Sequence, residues 1–207
     1  MKKHNFFILL TFLTLTTGLF IFSCSHDLDP DPLPVTCDTN NSPFDQLYTQ
    51  TLTNPLYVNH VTYDSEVHSY TFEVLHNESI CSVGYQSQPT LSTVPYLIEV
   101  WDVSNNILLG SVNTTFSSTA TQYRAFPSSI PVYPGRQYCV KRIQTNWSSV
   151  TPYITSTIGR MLVTATGGPL TSLPFSNGRI KITGSSLYQN ANTATNWGLP
   201  YIDIVFE

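Results

Sequence analysis

Short stretches that alternate apolar and polar residues, separated by turn signals, constrain this chain more than any other feature. In HSYTFEVLH (68–76), Tyr70, Phe72 and Val74 share one face of an extended backbone. YLIEVWDV (96–103) alternates about Trp101, and QYCVKRIQ (137–144) follows a Pro-Gly turn at 134–135. SICSVGYQS (79–87), ILLGSV (107–112), RMLVTA (160–165), RIKITG (179–184) and YIDIVFE (201–207) bring the set to eight. SNN (104–106), YPGR (133–136), GGP (167–169) and SNG (176–178) lie between them as turns. No helical period is sustained and no motif repeats at a fixed interval, which argues against bundles, solenoids and propellers. The expected fold is all-β, an antiparallel β-sandwich of jelly-roll or immunoglobulin-like type. Abundant Ser, Thr and Asn, with 12 tyrosines and 11 phenylalanines, suit its pleated surfaces.

Ahead of the strands, Lys2 and Lys3 precede an apolar run from Phe6 to Phe22 that closes on Ile21-Phe22-Ser23-Cys24. This ending resembles the lipobox of bacterial lipoproteins. The resemblance implies that residues 1–23 are a signal peptide and that Cys24 is diacylated as the first residue of the mature chain. An uncleaved membrane anchor is the alternative, but the run is short beside the roughly 20 residues of a spanning helix. Asp27, Asp29 and Asp31 then alternate with Leu28, Pro30 and Pro32, a composition that favours extended polyproline II. Residues 24–44 are expected to be a tether, able at about 3.1 Å per residue to hold a domain up to roughly 60 Å from the bilayer. Ser25, directly after the cysteine, resembles the pattern that lets lipoproteins leave the inner membrane. The acids beside it resemble an export signal to the cell surface; a plain linker facing the periplasm is the other reading. Residues 45–207 then form one domain.

Removal of the signal leaves seven basic residues against thirteen acids, a net charge of −6. That balance argues against a nucleic-acid partner, which needs a basic face. Arg136, Lys141 and Arg142 cluster, but beside a turn they read as a solvated strand edge.

Three cysteines follow the lipidated one, and outside the inner membrane an oxidised pair is expected. Cys81 with Cys139, both in strand patterns, is the preferred pair, closing a loop worth about 4 kcal/mol. Pairing of Cys37 with either would instead staple the tether to the body. No CxxC or nearby His points to a metal, and no cofactor is implied.

Catalytic patterns are poor. Gly-x-Ser-x-Gly is absent, and Asp64-Ser65-Glu66-x-His68 has the residue types of a triad but reads as a polar turn before a strand. His60, His68 and His76, eight apart, would be separated by about 26 Å along one strand and read as solvated. Glu99, Asp102 and Asp203 are the strand-borne carboxylates for glycoside hydrolysis, with structural roles favoured. Asp102 in particular stands before SNN, where an aspartate accepts N–H bonds of its own turn.

YTFEV (70–74), SVGYQ (82–86), LIEVWDVSNNILLGSV (97–112), AFPSSIPVYPGRQYCV (125–140) and NWGLPYIDIVFE (196–207) together resemble a family of bacterial β-sandwich modules of unknown function. Trp101-Asp102 matches its Ile/Val-Trp-Asp strand end, Gly135 and Tyr138 its hairpin, and Asp203 with Phe206 its closing Asp-Val-Val-Phe strand. The likeness spans residues 68–207 and departs from the family over 150–178. It implies a fold and no site, since the family has no assigned activity.

The features most suggestive of binding are aromatic. TNWSS (145–149) and TNWGL (195–199) set Trp147 and Trp197 among small polar residues, with Tyr153 and Tyr188 in similar company. Exposed rings beside amides and hydroxyls suit a glycan, whose apolar faces stack while its hydroxyls find polar partners. The same rings can instead lid the core; Trp147 is the better ligand candidate because Trp197 adjoins the final strand. The leading expectation is a non-enzymatic, outer-membrane-anchored binding module. An accessory subunit of an outer-membrane protein complex is the alternative, and a hydrolase a second one.

Overall fold

The computed structural model describes residues 37–62, 65–88, 91–150, 159–187 and 194–207. The chain divides into two units, residues 1–35 and 36–207, and every described element belongs to the second. In order these are α1 (Pro43–Leu52), β1 (Tyr57–Thr62), β2 (Val67–Val74), β3 (Glu78–Tyr85), β4 (Tyr96–Asp102), β5 (Ile107–Thr114), β6 (Gln122–Val132), β7 (Tyr138–Gln144), α2 (Trp147–Val150), β8 (Gly159–Thr164), β9 (Phe175–Ser176), β10 (Ile180–Leu187), β11 (Ala194–Thr195), β12 (Leu199–Pro200) and β13 (Asp203–Phe206).

The fold is an all-β antiparallel sandwich, as the alternation predicts. Its largest sheet runs β11-β10-β2-β7-β4-β5, with β9 beside β10; the others run β13-β3-β6 and β1-β8-β12. Tyr70, Phe72 and Val74 point inward from β2 and are buried, as are Ile98 and Val100 from β4 and Val140 from β7. Ile80, Val83, Ile130, Val132 and Ile204 from the β13-β3-β6 sheet join them in one core. Each such side chain is worth about 1.5–3 kcal/mol when removed from water.

Besides the two-residue strands β9, β11 and β12 and the short α2, two longer strands and a helix depart from the sequence reading. β1 carries no clean alternation, and β6 contains Pro127 and Pro131, which argue against a strand. β6 tolerates them because it is an edge strand and because its register against β3 slips between Ile80 and Ser82, so that residues 126–129 bulge out. Helix α1 takes the last two residues of the expected tether, Pro43 and Phe44, and runs on into the domain where no helix was expected. Ser42 caps it, accepting from the Asp45 amide at 2.9 Å, and Pro43 occupies its first turn. Phe44, Leu47 and Tyr48, spaced i, i+3, i+4, are buried, and Phe44 stacks on Tyr70 at 4.9 Å.

The cysteine pairing also differs: Cys37 is bonded to Cys81, and Cys139 is a free, buried thiol. Cys81 and Cys139 stand on different sheets, and Cys139 sits opposite Trp101 and Thr71 on the outer face of the large sheet, turned away from β3. Strand membership does not tell which face a cysteine takes. The folded body therefore reaches back to Cys37, inside the stretch assigned to the tether.

Candidate functional site

Trp197 is the exposed aromatic platform. Its neighbour Asn196 takes a left-handed conformation (φ 58°) and is pinned there by backbone bonds with Ser185 and Leu170 and by its side-chain oxygen, which accepts from the Ser185 amide at 2.9 Å. On the other side Gly198 packs so closely on β8 that a Cβ there would lie 2.4 Å from Met161 Sδ and 3.1 Å from Val163 Cγ1. Between these fixed points the indole is thrown outward and remains 52% exposed. It borders a groove of about 350 Å³ lined by Val58 and His60 from β1, Val163 and Thr164 from β8, and the turn Ala165, Gly167, Gly168. Thr164 closes that turn by donating from Oγ1 to the Gly168 carbonyl at 3.0 Å.

The other aromatic candidates divide differently. Trp147, ranked ahead of Trp197 from the sequence, sits half-buried in α2 and packs against the core, as a lid would. Tyr153, Tyr188 and Cys24 lie outside the described residues, as does Asp64 of the triad-like stretch.

The carboxylates considered for hydrolysis are committed to holding the fold. Glu99 accepts from Trp101 Nε1 at 2.8 Å. Asp102 accepts from the Asn105 backbone at 3.0 Å and side chain at 2.8 Å, the turn role its position predicts; these bonds, with Arg136 at 3.3 Å, hold its carboxyl below the usual value. Asp203 is wholly buried between Ser42, whose hydroxyl donates to it, and Tyr123, whose hydroxyl donates at 2.7 Å. Burial pushes Asp203 up to about 6, against the lowering effect of those two donors. Beside it Tyr201 donates to Asp45 at 2.5 Å, and the Arg160 guanidinium lies 3.6 Å from the Tyr201 ring centre. This knot joins the start of α1 to β13.

A second polar group lies inside the sandwich, contrary to the expectation of solvated Arg142 and His68. Arg142 is fully buried between the rings of Tyr85 and Tyr96, each 5.4 Å from its guanidinium, and donates to the Ser65 carbonyl at 2.7 Å. His68 faces it across the β2–β7 ladder and is 2% exposed; burial, aided by the Arg142 charge, pulls its pKa well below the ordinary value. Ser65 spends its hydroxyl on the Val67 carbonyl, as a polar turn would. His60 and His76 are exposed, and among the described residues no group of three His, Cys, Asp or Glu is placed to hold a metal.

Sequence reasoning missed Trp101 as a surface residue. Its ring stands on the outer face of the large sheet, with the Lys141 ammonium 4.8 Å from the ring centre. The outward phase of β4, Leu97, Glu99, Trp101, carried that signal. No family model and no curated protein matches the chain.

Proposed function

We propose that this chain is a non-enzymatic binding module, anchored to the outer membrane through lipid on Cys24, displayed at the cell surface, and taking a glycan in the Trp197 groove. The observation that carries this reading is the half-exposed indole of Trp197 set over a preformed groove. Apolar Val58 and Val163 offer contacts for sugar C–H surface, while His60 and Thr164 offer polar partners. Asn196 and Gly198 fix the backbone on either side of the ring, so less ordering is needed on binding. In this reading the attachment is the lipid on Cys24; among the described residues no helix is long and apolar enough to cross a membrane.

The test is a glycan array probed with the lipoprotein in mild detergent, beside Trp197→Ala. The expected result is a defined set of bound glycans whose affinity falls at least tenfold in the variant, with an unchanged melting temperature. Silence on the array, or equal binding by the variant, would sink the assignment.

One observation favours the accessory-subunit alternative. Ile107, Leu108 and Leu109 open the edge strand β5 and are 53%, 44% and 36% exposed, with Val103 beside them at 42%. A stoichiometric partner recovered from gently solubilised outer membranes, and lost in Leu108→Lys, would support that reading over the first.

A further inference from the structure

The outer face of the large sheet carries a second concavity, of about 300 Å³, lined among others by Ser69, Thr71, Trp101, Cys139, Lys141 and Ser186. Strand register explains its shape. One row across the sheet reads Trp101, Cys139, Thr71, Gly184, and the next reads Glu99, Lys141, Ser69, Ser186. Small side chains on β7, β2 and β10 leave a low floor, and Trp101 with Lys141 raises a wall along one side. Although they point outward, Ser69 and Cys139 are only 3% and 7% exposed.

Each part of the trough has a chemistry. Trp101 is held in place by its bond to Glu99 at 2.8 Å and supplies aromatic surface. Ser69, Thr71 and Ser186 supply a floor of hydroxyls. Lys141 supplies charge: its ammonium lies on the Trp101 ring and forms no ion pair with the described residues. The one acid in the lining, Asp102, is matched by Arg136 and Asn105, and Glu99, opposite Lys141 but outside the lining, is engaged by the Trp101 N–H, so Lys141 is the charged group of the lining left to meet a ligand. The volume is at the lower end for small-ligand pockets.

We infer that this trough binds an acidic sugar, a uronic acid unit of a glycan, with its carboxylate on Lys141, its hydroxyls on the serine and threonine floor, and its C–H surface against Trp101. The site stands apart from the Trp197 groove, which lies on the β1-β8-β12 sheet, and does not depend on it.

The experiment is a titration of the protein with tetragalacturonate, followed through the indole N–H resonance of Trp101, with neutral cellotetraose as control. The expected result is a saturable shift of that resonance and a neutral tetramer bound at least tenfold more weakly. Lys141→Gln, a surface change that leaves the fold intact, should weaken uronate binding at least tenfold, whereas Trp197→Ala should change it less than twofold. No shift, equal binding of the neutral tetramer, or undiminished binding by Lys141→Gln would each overturn the site. A loss caused by Trp197→Ala would reassign the uronate to the other groove.

Discussion

Replacing Cys37 by Ser should cost about 4 kcal/mol of stability. The Cys37–Cys81 bond closes 44 residues, and the chain-entropy relation gives about 4 kcal/mol for a loop of that size. In a domain of this length that is roughly 8–16 °C in melting temperature. The bond ties the segment before α1 to β3, so its loss also frees the approach to Ser42 and the Asp203 knot. Cys81→Ser should match Cys37→Ser, and the double variant should be no worse than either. Cys139→Ala should stay within about 1.5 kcal/mol of the parent, since it removes only a buried thiol. Thermal melts of the four variants decide the matter. A Cys139→Ala protein as unstable as Cys81→Ser would restore the Cys81–Cys139 pairing that the sequence favoured.

The second large effect is in pH dependence, where two buried groups oppose each other. Asp203 titrates near 6 in the folded protein against its usual 3.8, so the folded state holds that proton more tightly. Its contribution therefore grows as pH falls from about 6 to about 4, by roughly 3 kcal/mol, and is absent above pH 6. His68 is kept neutral when folded, while the unfolded chain takes up its proton below about pH 6.5, so stability is lost as pH falls. Below about pH 6 the two slopes are opposite in sign.

Each single variant should expose the other group. Asp203→Asn should leave a protein that loses stability as pH falls below about 6.5, through His68. His68→Gln should instead become more stable by about 2 kcal/mol as pH falls from 6.5 to 4.5, through Asp203. Urea melts at a series of pH values give both curves, and an Asp203→Asn profile parallel to that of the parent would refute the role given to Asp203.

The alternation that fixes strand faces was legible in the sequence. All eight expected strands are present, and Tyr70, Phe72 and Val74 point where period two puts them. What escaped has physical reasons. Prolines disguised β6 because their tolerance depends on its being an edge, a property of the assembled sheet. Three residues of α1 make too short a stripe to register as a helical period, although Ser42-Pro43 carries a legible start signal. Arg142 and His68 were expected in water because both are polar; the two tyrosine rings that make burial tolerable come from β3 and β4. The order of the two tryptophans reversed because exposure at Trp197 follows from the left-handed turn at Asn196, which nothing in TNWGL alone announces.

The pairing of β3 with β13 has a consequence for how the molecule comes into being. Asp203 sits opposite Gly84, and β10 lies beside β2, so the two sheets that enclose the core each join strands more than a hundred positions apart. Nearest-neighbour hairpins such as β4–β5 can form early, but long-range closure must await β13, all four of whose residues are buried. Such a contact order belongs to slow folding, on the millisecond-to-second scale. A chain of this topology locks only when its final strand arrives, so its last few residues decide when the whole core closes.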